Sequence, residues 1–411
     1  MNPSGIQPSF SPRIKTRQVW GKIWQAALAI TTAVSVLFLL LLLGTVLDQS
    51  FGYVAIETKV NPATLVSDGR PLEALNSTEL TAILTEKLSA NRLKTLEAEK
   101  ALVDRSQADL LKLVTNEVLK PEVVKTWPLF ISIFQPARVR DEAAELAPEA
   151  TLQFKNWLTF DFVSSPQSSK PLEAGVRTAL LGSVWTILVT ILVAFPIGVG
   201  AALYLEEYAR DTGFNRLIQT NINNLAGVPS IIYGMLGLAI FVRTLAPITS
   251  GAVFNANVSD ASNGRTLLSA GLTLALLVLP LIIINTQEAV KAVPDSLRQA
   301  SYALGATQWQ TIWHHVLKNA IPGILTGTIL AISRAIGETA PLVVVGAATY
   351  ITFDPNNVFS KFTTLPIQIY QWSSRPQAEF QNIAGAAILV LLILLLSLNS
   401  FAILMRNRYR K

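Results

Sequence analysis

Two charged residues interrupt an otherwise apolar stretch in the second half of the chain. Arg334 and Glu338 lie four residues apart within residues 320–353, which contain no other Asp, Glu, Lys, Arg or His. Side chains at this spacing share one face of a helix. Because a charged side chain at the centre of a membrane costs about 2.5–3.5 kcal/mol, both must face protein or a water-filled path.

The chemistry of this pair depends on the arginine. A planar guanidinium donates two parallel hydrogen bonds to a carboxylate or a tetrahedral oxyanion, which a lysine cannot do. We therefore predict that Arg334, Glu338 and Thr339 lie on the path of an anionic substrate. A purely structural ion pair between helices is the alternative.

Composition indicates where such a pair must sit. The 411 residues are 51% hydrophobic and only 15% charged, too few polar groups to cover a soluble protein of this size. The chain has no Cys, so disulfides and thiolate sites are excluded. Its basic residues cluster at the ends of apolar segments, which favours membrane orientation over binding of nucleic acid.

Apolar stretches of membrane length predict an all-α integral membrane protein with six transmembrane helices. Each stretch can cover the roughly 30 Å of hydrocarbon with about 20 helical residues. The predicted spans are residues 23–47, 178–205, 217–242, 266–287, 320–353 and 380–405.

Basic residues at both ends of the chain predict the orientation. Excess Lys and Arg mark cytoplasmic segments, and the first span lacks the short core and cleavage site of a signal peptide. The terminal basic residues are Arg13, Lys15, Arg17, Lys22, Arg406, Arg408, Arg410 and Lys411. The predicted parts are a cytoplasmic tail (1–22), a first span (23–47), an external insertion (48–175), a membrane core (176–405) with a cytoplasmic loop (288–319), and a cytoplasmic tail (406–411).

The insertion is predicted to be mostly helical. Asn76 with Glu79 three residues later matches a capping box, and leucines then recur at helical spacing. Four prolines interrupt the rest, so we expect a helical hairpin or stalk that caps the membrane part. No residue pattern in it indicates chemistry.

Motifs for catalysis and for nucleotide binding are missing. The sequence has no G-x-x-x-x-G-K-[ST], so it does not cradle ATP phosphates, and it has no G-x-S-x-G or H-E-x-x-H. Its two histidines, His314 and His315, are adjacent and face different sides of a helix, a poor arrangement for a metal. We predict no enzyme activity, no cofactor and no metal site.

The loop at 288–319 predicts an amphipathic helical hairpin that lies on a partner. Pro294-Asp295-Ser296 is a helix start, and apolar residues follow at helical spacing. This loop resembles the EAA loop of ABC-importer permeases. The pattern of that loop is E-A-A, three residues, Gly, nine residues and then I-x-L-P. Here Gln299-Ala300-Ser301 stands for E-A-A, Gly305 for the Gly and His315-Val316-Leu317-Lys318 for I-x-L-P. The Glu and the final Pro of the pattern are missing.

Further segments are similar to the A-type permease of the bacterial phosphate-specific transport system. They are AVPDSLRQASYALGATQWQTI, IPGILTGTILAISRAIGETAPLVVVGA, LAGVPSIIYG and TLPIQIYQWSSRPQAEFQNIAGAAILV. The resemblance covers residues from about 156 to the end. The first span is similar only in being a membrane-spanning helix at the same place. It does not cover the insertion.

The resemblance implies a type I ABC importer fold in the bacterial inner membrane, with residues 48–175 in the periplasm. It implies import of inorganic phosphate together with a sister permease, two copies of a cytoplasmic ATPase that binds ATP and Mg, and a periplasmic phosphate-binding protein. Gly305, Ala306 and Thr307 would form the turn before the coupling helix. Trp309, Ile312 and Trp313 would be its apolar anchors in the ATPase.

Three other functions stay open from the residues. An arginine fork does not distinguish phosphate from sulfate or molybdate. A secondary transporter would work without an ATPase, against which the coupling loop argues. A structural or signalling membrane protein would carry no flux, against which the charged pair argues.

Overall fold

The computed structural model describes residues 13–66, 70–146, 148–254, 263–347 and 350–409. The first helix, α1, runs from Arg13 to Ser50 and contains the predicted first span. Most of its described side chains are exposed, but Val46 and Ser50 in its last turns are buried. Strand β1 follows at Phe51 without a linker, so the first span is joined directly to the insertion.

A three-stranded antiparallel sheet and a set of short helices form the insertion. The strands are β1 Phe51–Thr58, β2 Pro121–Pro128 and β3 Thr151–Asn156, in the order β2-β1-β3. The helices are α2 Ser77–Lys87, α3 Ala90–Glu99, α4 Gln107–Leu113, α5 Leu129–Phe134, α6 Pro136–Leu146 and α7 Phe160–Ser164.

The sheet corrects the prediction of a helical hairpin or stalk. The capping box of Asn76 and Glu79 at the start of α2 is confirmed, and Leu80, Leu84 and Leu110 form a buried core. The strands were missed because the prolines that bound β2 suggested only a break. Their strand conformation depends on pairing between segments that are distant in sequence.

The rest of the described chain is helical. Its helices are α8 Arg177–Leu203, α9 Gly213–Ala226, α10 Ser230–Gly237, α11 Ala246–Thr249, α12 Leu267–Lys291, α13 Asp295–Ala303, α14 Gln308–Thr311, α15 Leu317–Gly337, α16 Ala340–Val345, α17 Leu365–Ser373 and α18 Ala378–Tyr409. Short π-helical segments extend α8 to Tyr208 and α10 to Thr244, and Ile312–Val316 joins α14 to α15.

Helix α12 is the centre of the bundle. It packs against α8 and α15, and Ala270, Leu274, Val278 and Ile282 on it belong to the main hydrophobic core. Within the described ranges, five helices are long and apolar enough to cross a membrane, and α9 with α10 makes a sixth span if the bent pair counts as one. The all-α membrane fold is therefore confirmed for this part of the chain.

The third predicted span, 217–242, is not straight. Helix α9 ends at Ala226, and the chain turns by 107° before α10 begins. Pro229 explains the break, because a proline disfavours helical backbone in the preceding residue, here Val228. Gly227 occupies the C-cap of α9.

The fifth predicted span, 320–353, is also wrong in its extent. A continuous helix runs from Gln308 to Gly337 and stops there. Pro341 is the physical reason, because a proline has no amide hydrogen and its ring clashes with the carbonyl four residues earlier, which belongs to Gly337. The chain resumes as the short helix α16.

Some predictions fall on parts of the chain outside the described residues. They concern residues 1–12 of the N-terminal tail, Arg410 and Lys411 of the C-terminal tail, and residues 348–349 of the fifth span.

We expect Gly182→Ala to lower the free energy of unfolding by about 1–3 kcal/mol. Gly182 lies on α8 against the loop before α17, and a Cβ there would overlap the carbonyl oxygen of Thr363. The thermal unfolding midpoint of the purified protein in detergent measures this loss. Gly200→Ala on the same helix is the control, because open space surrounds Gly200. Equal midpoints for the two variants would contradict the close approach.

Candidate functional site

Arg334 and Glu338 lie where the long helix ends. The Nε of Arg334 is 3.3 Å from Oε1 of Glu338, and their side chains are 44% and 18% exposed. Glu338 is not on the helical face that the sequence predicted. It is the C-cap of α15 with extended backbone (φ −74°, ψ 120°), so the pair bridges the helix end and the break.

The pair leaves most of the guanidinium free. Among the described residues, Arg334 donates one hydrogen bond, from Nε, so its Nη groups keep their donors. Gly337 beside it has no heavy atom within 4 Å of the position of a Cβ, and Thr339 is half-buried. Ala335 and Ile336 on the opposite side are buried in the main core. The three predicted path residues therefore adjoin open space at the edge of the bundle.

The break is held by packing of two short helices. Helix α16 packs against α10, and Gly234 on α10 lies so close to Pro341 that a Cβ would meet the Cα of Pro341 at 2.7 Å. Pro341 and Leu342 are buried. The broken third and fifth spans thus stabilise each other next to the charged pair.

The other end of the long helix is one arm of a helical hairpin. The two arms are α13 and α14, and α14 is the first turn of the long helix. Gly305 makes the turn with a left-handed backbone (φ 81°), which favours glycine. Thr307 caps α14 in a capping box with Gln310, and Ala306 donates its backbone N–H to the carbonyl of Ser301. The structure therefore places the predicted Gly305, Ala306 and Thr307 at the hairpin tip.

A buried ion pair fixes the hairpin to the second span, and sequence reasoning missed it. Arg298 on α13 donates to Glu207 at 2.7 Å, with side chains 16% and 7% exposed. Arg298 also donates to the carbonyls of Val290 and Val293. The hydrogen bond to Glu207 raises the pKa of Arg298 above its usual value, so it remains charged. The adjacent acidic pair Glu206-Glu207 was the available signal.

We expect Glu207→Gln to loosen the hairpin by about 1.5–3 kcal/mol, because it removes the buried charged partner of Arg298 and leaves only the exposed carboxylate of Asp295, at 3.0 Å. Hydrogen exchange of residues 295–311 in the purified protein measures the loss of protection. Glu206→Gln is the matched control, since Glu206 is 3.6 Å from Lys291, whose side chain is half exposed. Unchanged exchange in the Glu207 variant would show that the pair does not hold the hairpin.

The three predicted anchors of the hairpin differ in exposure. Ile312 is 1% exposed and packs inside the chain, so it cannot anchor a partner in this conformation. Its burial follows from the folding of the hairpin on itself, where Ser301 Oγ meets Thr311 Oγ1 at 2.8 Å. The exposed apolar side chain at the tip is Leu304, at 89%, which sequence reasoning missed. Its position directly before the glycine turn was the signal.

The two tryptophans are exposed but lie on the flank of the hairpin. Trp309 and Trp313 stack with ring centroids 5.6 Å apart. They line an apolar groove of about 780 Å³ together with the ends of α8, α15 and α18. An apolar groove at the ends of long apolar helices suits tryptophan, which is enriched at membrane interfaces.

Neither site has the chemistry of a metal centre. In the described part of the chain, no three His, Asp or Glu side chains are grouped so that they could hold a metal ion.

Residues 194–411 match the family model of the "binding-protein-dependent transport system inner membrane component". The chain is 31% identical over 255 residues to a probable ABC transporter permease, YqgI, of Bacillus subtilis, covering 59% of this chain and 81% of that protein. It is 32% identical to the phosphate transport system permease PstA of Xylella fastidiosa, covering 61% of this chain and 80% of that protein.

A third relative is the PstA permease of Mycobacterium leprae, which is 38% identical over 230 residues, covering 55% of this chain and 69% of that protein. These relatives leave a large part of this chain unmatched. The family model begins only at residue 194, within α8. On the family model and these relatives together, the chain belongs to the inner-membrane components of binding-protein-dependent transport systems, the permease subunits of ABC transporters.

Proposed function

We propose that this protein is the membrane permease subunit of an ATP-driven importer of inorganic phosphate. The chain is a transport subunit of the inner membrane and not an enzyme. The main support is the ion pair of Arg334 and Glu338, which lies at the helix break on an open edge of the bundle. Relatives of the chain are named phosphate transport system permeases. An arginine fork beside open space is suited to a tetrahedral oxyanion.

The ion pair supplies a way to bind and release the anion. With no anion bound, Glu338 holds Arg334 through a single hydrogen bond, so the guanidinium keeps its position. An arriving phosphate takes the free Nη donors of Arg334. Repulsion between Glu338 and the anion limits the affinity, which favours release on the other side. Thr339 adds a hydroxyl next to the same opening.

The long helix couples this site to the hairpin. Since Gln308–Gly337 is one helix of 30 residues, its length is about 45 Å at 1.5 Å per residue. Displacement of the hairpin by a cytoplasmic ATPase therefore moves the charged break without an intervening loop. Closure of the ATPase dimer would re-orient the spans, so that the anion path opens outward and then inward.

The proposed partners follow from this arrangement. A sister permease would complete the path in a heterodimer, since the side of Arg334 is open in this chain. Two ATPase copies with ATP and Mg would dock at the hairpins, and a phosphate-binding protein would deliver the anion on the insertion side. The hairpin and both termini would then be cytoplasmic, and the insertion periplasmic.

Uptake of labelled phosphate tests the proposal in cells that lack this chain, with and without its re-expression. We expect re-expression to restore uptake, excess phosphate to compete, and sulfate and molybdate not to compete. Loss of the ATPase subunit should abolish the uptake, because ATP hydrolysis drives it.

The other outcomes separate the alternatives. Competition by sulfate or molybdate would replace phosphate with another oxyanion. Uptake by the purified chain alone that is insensitive to orthovanadate would indicate a secondary transporter. Uptake that does not depend on the chain would overturn the transport assignment.

A further inference from the structure

A row of buried polar groups without partners runs along α17. We call it the α17 seam, formed by Thr363, Thr364, Gln368 and Trp372. These residues are at most 2% exposed. Both hydroxyls, both amide atoms of Gln368 and the indole nitrogen of Trp372 have no hydrogen-bond partner among the described residues.

Helical geometry puts most of the seam on one line. Thr364, Gln368 and Trp372 are separated from one another by four positions, so they share one face of α17. Thr364 is the N-cap of the helix, but its side chain makes no capping bond. Buried polar groups are almost always paired, so a row of unpaired ones needs a physical explanation.

The seam lies between the insertion and the charged break. Trp372 packs in a cluster with Val54, Trp157 and Phe162 of the insertion. Phe362 and Ile367, on the same segment, pack in the main core, which contains Ile336 next to the break. An anion that passes from the insertion side to Arg334 would meet this segment on the way.

We propose that the α17 seam is a second binding site for the transported oxyanion, made of uncharged hydrogen-bond donors and closed in the present conformation. This inference rests on the proposed function. The hydroxyls, the amide and the indole together offer donors to an oxyanion but no positive charge. Such donors bind an anion without the strong attraction of a second arginine, so the anion passes on to Arg334.

The unpaired state makes the seam responsive to a ligand. Each buried donor without a partner carries a desolvation cost, so the closed conformation is destabilised at this segment. A ligand that supplies the missing hydrogen bonds binds the opened conformation preferentially and shifts the population towards it. The backbone contact of Thr363 with Gly182 and the hydrogen bond from Leu365 N to Ser183 Oγ, at 2.9 Å, fix the segment to α8 until then.

Cysteine labelling tests the opening directly, because the chain has no Cys of its own. The Gln368→Cys variant is expressed with its partner subunits and exposed to an anionic, membrane-impermeant methanethiosulfonate reagent. We expect labelling to be at least tenfold faster during transport at limiting phosphate than in de-energised cells. Excess phosphate should slow it at least threefold, because the bound anion covers residue 368 in the opened conformation. Ile367→Cys is the matched control, since Ile367 is adjacent, 2% exposed and packed in the apolar core.

Several outcomes would overturn the site. They are equal labelling rates with and without transport, a rate equal to that of the Ile367 control, or faster labelling that no oxyanion slows. Protection by sulfate or molybdate in place of phosphate would support the seam and overturn the phosphate assignment, so the two failures are distinguishable.

Replacement by an apolar side chain separates a binding role from a structural one. We expect Gln368→Leu to leave the unfolding midpoint of the purified transporter unchanged or higher, since it removes two unpaired buried atoms. Phosphate uptake should fall at least tenfold. A raised midpoint with wild-type uptake would show that the seam does not bind the anion.

Discussion

Phosphate uptake is expected to fall at least about 100-fold when Arg334 is replaced with Gln. The variant keeps a polar side chain but loses the charge and the paired donors. Hydrogen bonds to charged groups contribute about 1.5–3 kcal/mol each, and 1.4 kcal/mol is tenfold in binding. Initial rates of labelled phosphate uptake at low concentration measure the effect.

Two controls make this result specific. Arg334→Lys keeps the charge without the fork, so its uptake should lie between the wild type and the Gln variant. Arg216→Gln removes an exposed arginine that pairs with Asp211 at 3.3 Å and should leave uptake unchanged. Wild-type uptake in the Arg334→Gln variant, with normal amounts of the chain in the membrane, would show that the pair is structural.

The second large effect is expected at the hairpin tip. Leu304→Glu should abolish co-purification of the ATPase and reduce uptake to background. Burial of a leucine contributes about 1.5–3 kcal/mol, and a carboxylate at the same contact adds a desolvation cost. Pull-down of the ATPase with the tagged chain measures docking separately from transport.

Chemically matched substitutions complete the experiment. Leu304→Met keeps an apolar side chain of similar volume and should retain docking. Val103→Glu adds a carboxylate at an equally exposed position, 91%, in the insertion and should have no effect. Retained docking and uptake in Leu304→Glu would place the contact elsewhere on the hairpin.

The charged pair and the hairpin could be predicted because their signals are local. Charge inside an apolar run identified Arg334 and Glu338, and the resemblance to the EAA loop identified the turn at Gly305. The break at Gly337 also had a local signal in Pro341, but prolines occur inside α8, α12 and α15 without ending them. A proline alone therefore does not decide where a membrane helix stops.

The remaining features depend on contacts between distant segments. The periodicity of apolar residues placed Ile312 on the apolar face of a helix. It did not show whether the hairpin itself or a partner protein covers that face. The pairing of β1 with β2 joins residues about 70 positions apart, and Arg298 finds Glu207 across 91 positions. The α17 seam reads in sequence as an ordinary mixed segment, because only the fold shows that its polar groups are buried.

The continuous helix from Gln308 to Gly337 fixes the direction of the Arg334 side chain relative to the hairpin, as well as the distance between them. Each helical residue turns the chain by about 100°. One residue inserted or deleted between the hairpin and Arg334 would therefore point the guanidinium away from its opening, even with every side chain retained. The direction of Arg334 therefore depends on the number of residues in this helix as well as on their identity.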